Sequence, residues 1–139
     1  MNRLRNNKGQ ALVEFTLVSI VLMMFALGVA EFARAWYYDN ALENAVRAGV
    51  RYATELTDLA PNDPRIQSYV QGQVPSSLGG VTVATAVNSN LSFGTEKSVT
   101  VTATCSFSFL EGGFFSKYLD IPASLTLSRA GTMYYKRGT

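Results

Sequence analysis

The sequence contains no histidine and only one cysteine, Cys105. Without histidine the commonest general base is missing, together with His-dependent serine and cysteine triads and most zinc sites. A single thiol permits neither an intramolecular disulfide nor a thiolate cluster. Glycine (11) and proline (4) are too sparse for collagen-like or low-complexity sequence. Charge of either sign is also scarce: 12 basic and 10 acidic residues in 139 leave a net of +2. That is far too little for a protein that binds nucleic acid by neutralising phosphates. No phosphate-binding glycine loop, nucleophile elbow or spaced carboxylate pair is present, so no catalytic site, cofactor, metal or small-molecule substrate is expected. Asp58 and Asp63 flank a proline-containing linker and read as capping and solvated residues, with too few oxygen ligands around them for calcium.

What the chain does have is one long apolar run. From Ala11 to Ala30 the only formal charge is Glu14. Twenty helical residues span about 30 Å, the thickness of a bilayer hydrocarbon core. Arg3, Arg5 and Lys8 precede the run, and the chain beyond residue 9 carries nine basic against ten acidic residues. The basicity belongs to the leader, which places the N-terminus in the cytoplasm and the rest across the membrane.

Three readings of this N-terminus are open. One is a secretory signal peptide cut after Ala30, within Gly28-Val29-Ala30. The second is a plain single-pass anchor. The third is a pilin-type leader, cut between Gly9 and Gln10, whose apolar helix is kept. Glu14 bears on the choice, because a carboxylate in a spanning helix costs several kcal/mol and is normally retained for a partner. A cut after Gly9 exposes an α-ammonium at Gln10, and Glu14 of one subunit can pair with that ammonium on a neighbour. The pairing offsets the desolvation of both charges and sets the axial register between subunits.

No proline interrupts the sequence before Pro61, and residues 31–56 are rich in Ala, Glu, Arg and Leu. One helix from about Gln10 to Thr57 would be roughly 70 Å long, apolar first and amphipathic afterwards. Ala41, Ala45, Gly49 and Ala53 form a small-residue stripe suited to close helix packing, either on the chain's own domain or on another subunit. Trp36, Tyr37 and Tyr38 read as an interfacial aromatic belt.

Distally, Asp63 and Pro64 predict an N-cap and first residue of a short helix ended by Pro75. Alternation then predicts a strand near residues 81–87 and a clear one over 98–109, with Val99, Val101, Ala103, Cys105, Phe107 and Phe109 on one face. Residues 114–119 are an ambiguous apolar piece. Residues 123–135 predict a strand or strand pair broken near Gly131. The roughly 80 residues beyond Thr57 make a marginal core alone, so the sheet is expected to cover the helix. Cys105, on the inward face, reads as a buried inert hydrophobe, with pairing between chains as the alternative.

The stretch Lys8-Gly9-Gln10-Ala11-Leu12-Val13-Glu14-Phe15, with Glu31-Phe32-Ala33-Arg34-Ala35 and Asn44 to Ala53, resembles the TadE-like family. These are minor pseudopilins of the tight-adherence (Tad, or Flp) pilus system. The resemblance implies a pilin-like α+β fold. Residues 1–9 would be a prepilin leader, 10–30 a transmembrane helix, 31–57 its amphipathic continuation and 58–139 a periplasmic α+β domain with a small antiparallel sheet. It implies cleavage by prepilin peptidase between Gly9 and Gln10, an assembly role for Glu14, and partners among other pilins, pseudopilins and the inner-membrane assembly platform. It implies an inner-membrane protein, possible entry into a cell-surface pilus, and a role in adhesion and biofilm formation rather than catalysis. A pseudopilin of a type II secretion-like system is the related alternative, although those begin with Phe where this chain has Gln10.

Overall fold

A computed structural model of the chain describes residues 7–56, 58–88, 96–109, 122 and 124–136. Five elements follow in order: α1 (Asn7–Glu55), α2 (Pro64–Gln73), β1 (Thr82–Asn88), β2 (Glu96–Ser108) and β3 (Ser124–Lys136). The chain is α+β, with a long apolar N-terminal helix and a three-stranded antiparallel sheet in the order β1-β2-β3. It divides into two compact units, residues 1–34 and 35–139. The ambiguous piece at 114–119 and the turn expected near residues 89–94 lie outside the described residues.

The first unit consists of the apolar part of α1. Its large side chains are exposed on every side, including Phe15 at 71% and Phe25 at 72%.

The second unit has a closed core. From α1 it takes Leu42, Ala45, Val46, Gly49, Val50 and Ala53, all buried. Their spacing of three and four residues keeps one face toward the sheet. The stripe read as Ala41, Ala45, Gly49 and Ala53 drifts across that face, because a strict step of four overshoots the 3.6-residue turn. Ala41 accordingly reaches only its half-buried margin. β2 supplies Val99, Val101, Ala103, Cys105 and Phe107, each nearly or fully buried, while Thr100, Thr102 and Thr104 occupy the opposite face. β1 adds Val83 and Thr85, and β3 adds half-buried Leu127, Met133 and Tyr135.

β3 is continuous through Gly131, which pairs with Val101; the expected break is absent. Gly131 serves a packing purpose instead. A Cβ there would lie 2.9 Å from Val46 Cγ1 and 3.3 Å from Val50 Cγ2, so this is where α1 presses closest on the sheet. Gly49 does the same for the second helix: its Cβ would fall 2.3 Å from Val70 Cγ2 of α2. Tyr52 and Tyr69, stacked with centroids 4.5 Å apart, tie α2 to α1 beside that contact.

The sheet's two edges are treated differently. On β1, Asn62 uses its backbone N–H to donate to Thr85 O at 2.9 Å and its side-chain Oδ1 to accept from Thr85 N at 3.0 Å. Asn62 has φ 55°, a left-handed conformation that asparagine tolerates better than most residues. It therefore acts as a one-residue strand. On β3, Arg129 stands opposite Ala103 on the inward face and donates through Nε to Asp39 Oδ1 of α1 at 2.8 Å. An inward charge on an edge strand discourages further pairing there, and here it also fastens the strand to the helix.

The short helix begins as predicted. Asp63 is the N-cap, accepting from the Arg65 backbone N–H at 2.9 Å, with Pro64 at the first helical position. The Arg65 guanidinium folds back onto the same carboxylate, at 3.0 Å from Nε and 2.7 Å from Nη2. Hydrogen bonds from the Arg65 side chain, then its backbone, lower the Asp63 pKa from 3.8 to about 2. A carboxylate depressed in the folded state adds stability that is complete above its ordinary value and lost as pH falls through its folded one. The melting temperature of the full chain in detergent is thus expected to drop between pH 4 and pH 2, and Asp63→Asn should flatten that part of the profile.

Candidate functional site

Glu14 is the only formal charge between residues 11 and 30, on a helix whose other large side chains are apolar and uncovered. Within that helix its Oε1 accepts a hydrogen bond from Gln10 Nε2 at 3.2 Å. The i,i+4 spacing stacks the two side chains one turn apart on one face. Oε2 of Glu14 has no partner among the described residues. The one hydroxyl nearby, Thr16, is satisfied locally by donating to Leu12 O at 2.8 Å. Around the acid, then, the Thr16 hydroxyl is bonded to the helix backbone and, apart from Gln10, the neighbouring side chains are apolar. This is the condition for a segment in lipid. Among the described residues one helix, Gly9–Glu55, is long and apolar enough to cross a membrane, and none of its most apolar window is buried by protein.

Gly9 has open space around its Cα, with no atom within 4 Å of an added Cβ. It lies inside α1, one residue ahead of Gln10. Just after the apolar run, Glu31 and Arg34 form an i,i+3 ion pair at 3.2 Å, which partly neutralises the charge there.

The aromatic cluster separates into two roles. Tyr38 turns toward the sheet: its hydroxyl lies 3.2 Å from Ser77 Oγ and its ring is tilted against Phe107. Trp36 and Tyr37 remain exposed, at 62% and 59%. Of the three, Trp36 and Tyr37 present open aromatic surface, and Tyr38 belongs to the core's margin.

The small-residue stripe is likewise used within the second unit. Ala45, Gly49 and Ala53 are buried against α2 and the sheet, and only Ala41 is partly open. Cys105 is 2% exposed, and burial pushes its thiol pKa up, with the Asp39 charge adding to the effect. Such a thiol is poorly ionised and shielded from a second chain. Asp63, considered above as a calcium ligand, is committed to Arg65. Among the described residues no three His, Cys, Asp or Glu side chains cluster to hold a metal.

The segment carrying Gln10, Glu14 and most of the stripe also decides what the chain resembles. Residues 9–51 match the TadE-like protein family. The TadE-like match begins at Gly9, includes Gln10, Glu14, Ala41, Ala45 and Gly49, and stops before Ala53. It supports a pilin-like role associated with the Tad pilus and anchorage by the apolar helix. No curated protein and no solved structure matches the chain.

Some contacts were not read from the sequence. The Gln10–Glu14 bond was available in the i,i+4 spacing, although attention to Glu14 as a charge hides its amide neighbour. The Asp39–Arg129 and Asn62–Thr85 links join residues 90 and 23 positions apart, and no local pattern announces either.

Proposed function

We propose that the chain is a minor pilin-like subunit of a Tad pilus, cut by prepilin peptidase between Gly9 and Gln10. Residues 1–9 are the leader, 10–30 the membrane span, 31–57 the continuing helix and 58–139 the periplasmic domain. Arg3, Arg5 and Lys8 before the span keep the N-terminus cytoplasmic in the inner membrane. The subunit works by assembly and not by catalysis. Its apolar helix docks laterally among other pilins at the assembly platform, in support of fibres used for adhesion and biofilm formation.

The observation that carries this reading is Glu14: one acid on an uncovered apolar helix, four residues from Gln10, inside the segment that matches the TadE-like family. Once Gln10 is the terminal residue, its α-ammonium supplies the cation that Glu14 of an adjacent subunit lacks. The competing cut after Ala30 falls inside α1, which continues helically to Glu55. That cut would discard Gly9, Gln10 and Glu14 and split the segment that matches the TadE-like family.

Intact-mass measurement on the full chain, purified from membranes with and without prepilin peptidase, tests the proposal. Peptidase-dependent loss of residues 1–9 is expected. Loss of residues 1–30, or an unchanged mass in both hosts, overturns it.

A further inference from the structure

A terminal glutamine carries an electrophile within reach of its own amine. If Gln10 is the first mature residue, as proposed above, its neutral α-amine can attack the side-chain Cδ. A new N–Cδ bond forms, the Cδ–Nε2 bond breaks, and ammonia leaves with the proton that the amine gives up. The product is an uncharged five-membered lactam. The reaction needs no co-reactant, and it would destroy the ammonium on which subunit pairing depends.

In the structure the Gln10 carboxamide is already engaged. Its Nε2 donates to Glu14 Oε1, one turn toward the C-terminus. We propose that Glu14 has a second task, in cis: it holds the Gln10 carboxamide and so keeps the mature N-terminus open. This rests on cleavage after Gly9. Two effects act together. Reaching toward residue 14 turns the carboxamide along the helix and away from its own α-nitrogen. Donation to a carboxylate also strengthens amide resonance, making Cδ a poorer electrophile.

The two tasks of Glu14 are compatible. An ionised carboxylate offers two oxygens and about four acceptor sites. Oε1 takes the carboxamide of its own chain, and Oε2, unpartnered among the described residues, stays available to a neighbour's ammonium. Apolar surroundings strengthen both bonds.

The test follows the N-terminal peptide of the processed full chain by mass spectrometry during incubation in detergent at neutral pH. Ring closure appears as the loss of one ammonia. The wild-type terminus should stay open, and Glu14→Leu should close on the order of tenfold faster, a ratio within reach of a hydrogen bond to a charged group. Glu14→Gln retains an acceptor oxygen without the charge and should close at an intermediate rate. Equal rates in wild type and Glu14→Leu overturn the proposal while leaving the cleavage reading intact. A peptide that still carries residues 1–9 overturns both, and its larger mass distinguishes the two failures.

Discussion

Replacing Glu14 with leucine is expected to leave membrane insertion and folding of the distal unit unchanged while reducing incorporation into assembled complexes about 100-fold or more. Leucine suits the lipid better than glutamate does, so the helix itself gains from the change. The loss falls on the neighbour, whose terminal ammonium is left without its counter-ion in a medium that cannot solvate it. Breaking a buried ion pair by removing one partner costs about 3–5 kcal/mol, and each 1.4 kcal/mol is roughly tenfold in an equilibrium. Cofractionation of the variant with pilus or assembly-platform components, scaled to its membrane abundance, measures the effect. Glu14→Asp, shorter by one methylene, should fall between leucine and wild type because the charge is kept and its reach is not.

Gly131→Leu is expected to unfold or severely loosen the distal unit. A Cβ alone would already sit 2.9 Å from Val46 Cγ1, and both Val46 and Val50 are β-branched side chains on a packed helix, with little rotamer freedom to yield. The branched remainder of leucine must then lift β3 from α1, taking the Arg129 contact with Asp39 along. Overpacking costs about 1–3 kcal/mol where a core can adjust, and this site has backbone on one side and a helix on the other. The expected loss is about 3 kcal/mol or more, a large share of the stability of a small domain. Thermal denaturation of the full chain in detergent, followed by circular dichroism, measures it. Gly72→Ala is the matching control. Gly72 lies in α2 with no atom within 4 Å of an added Cβ, so alanine should stabilise by about 0.5–1 kcal/mol.

Glu14 and Gly131 also mark the limits of what the sequence disclosed. The apolar run, the strict alternation over 98–109 and the Asp63-Pro64 start were legible because each follows a local rule of period or capping. Glu14 was legible as a misfit, one charge in a run that physics would rather keep neutral. Gly131 was misread as a break because its role is set by Val46 and Val50, more than eighty residues away, and a glycine in a strand has more than one meaning. The stripe from Ala41 to Ala53 was half legible: small residues signalled close packing, but the choice between the chain's own sheet and a second subunit depends on tertiary placement. In the structure Ala45, Gly49 and Ala53 are buried within the chain's own second unit, Gly49 against Val70 of α2. Tyr38 was drawn into an interfacial cluster by its neighbours in sequence, whereas Ser77 and Phe107 claim it in space.

Zero-length carbodiimide coupling on intact membranes tests most directly whether Glu14 meets a terminal amine across a subunit boundary. The reagent joins a carboxylate to an amine only where the two already touch. With isotopically light and heavy chains expressed together, the account predicts a linked peptide joining Glu14 to the α-nitrogen of a different chain, either a second copy or another pilin. That product should disappear when prepilin peptidase is absent. A Glu14 found linked to nothing in processed, assembled material, or linked equally well without processing, would contradict it.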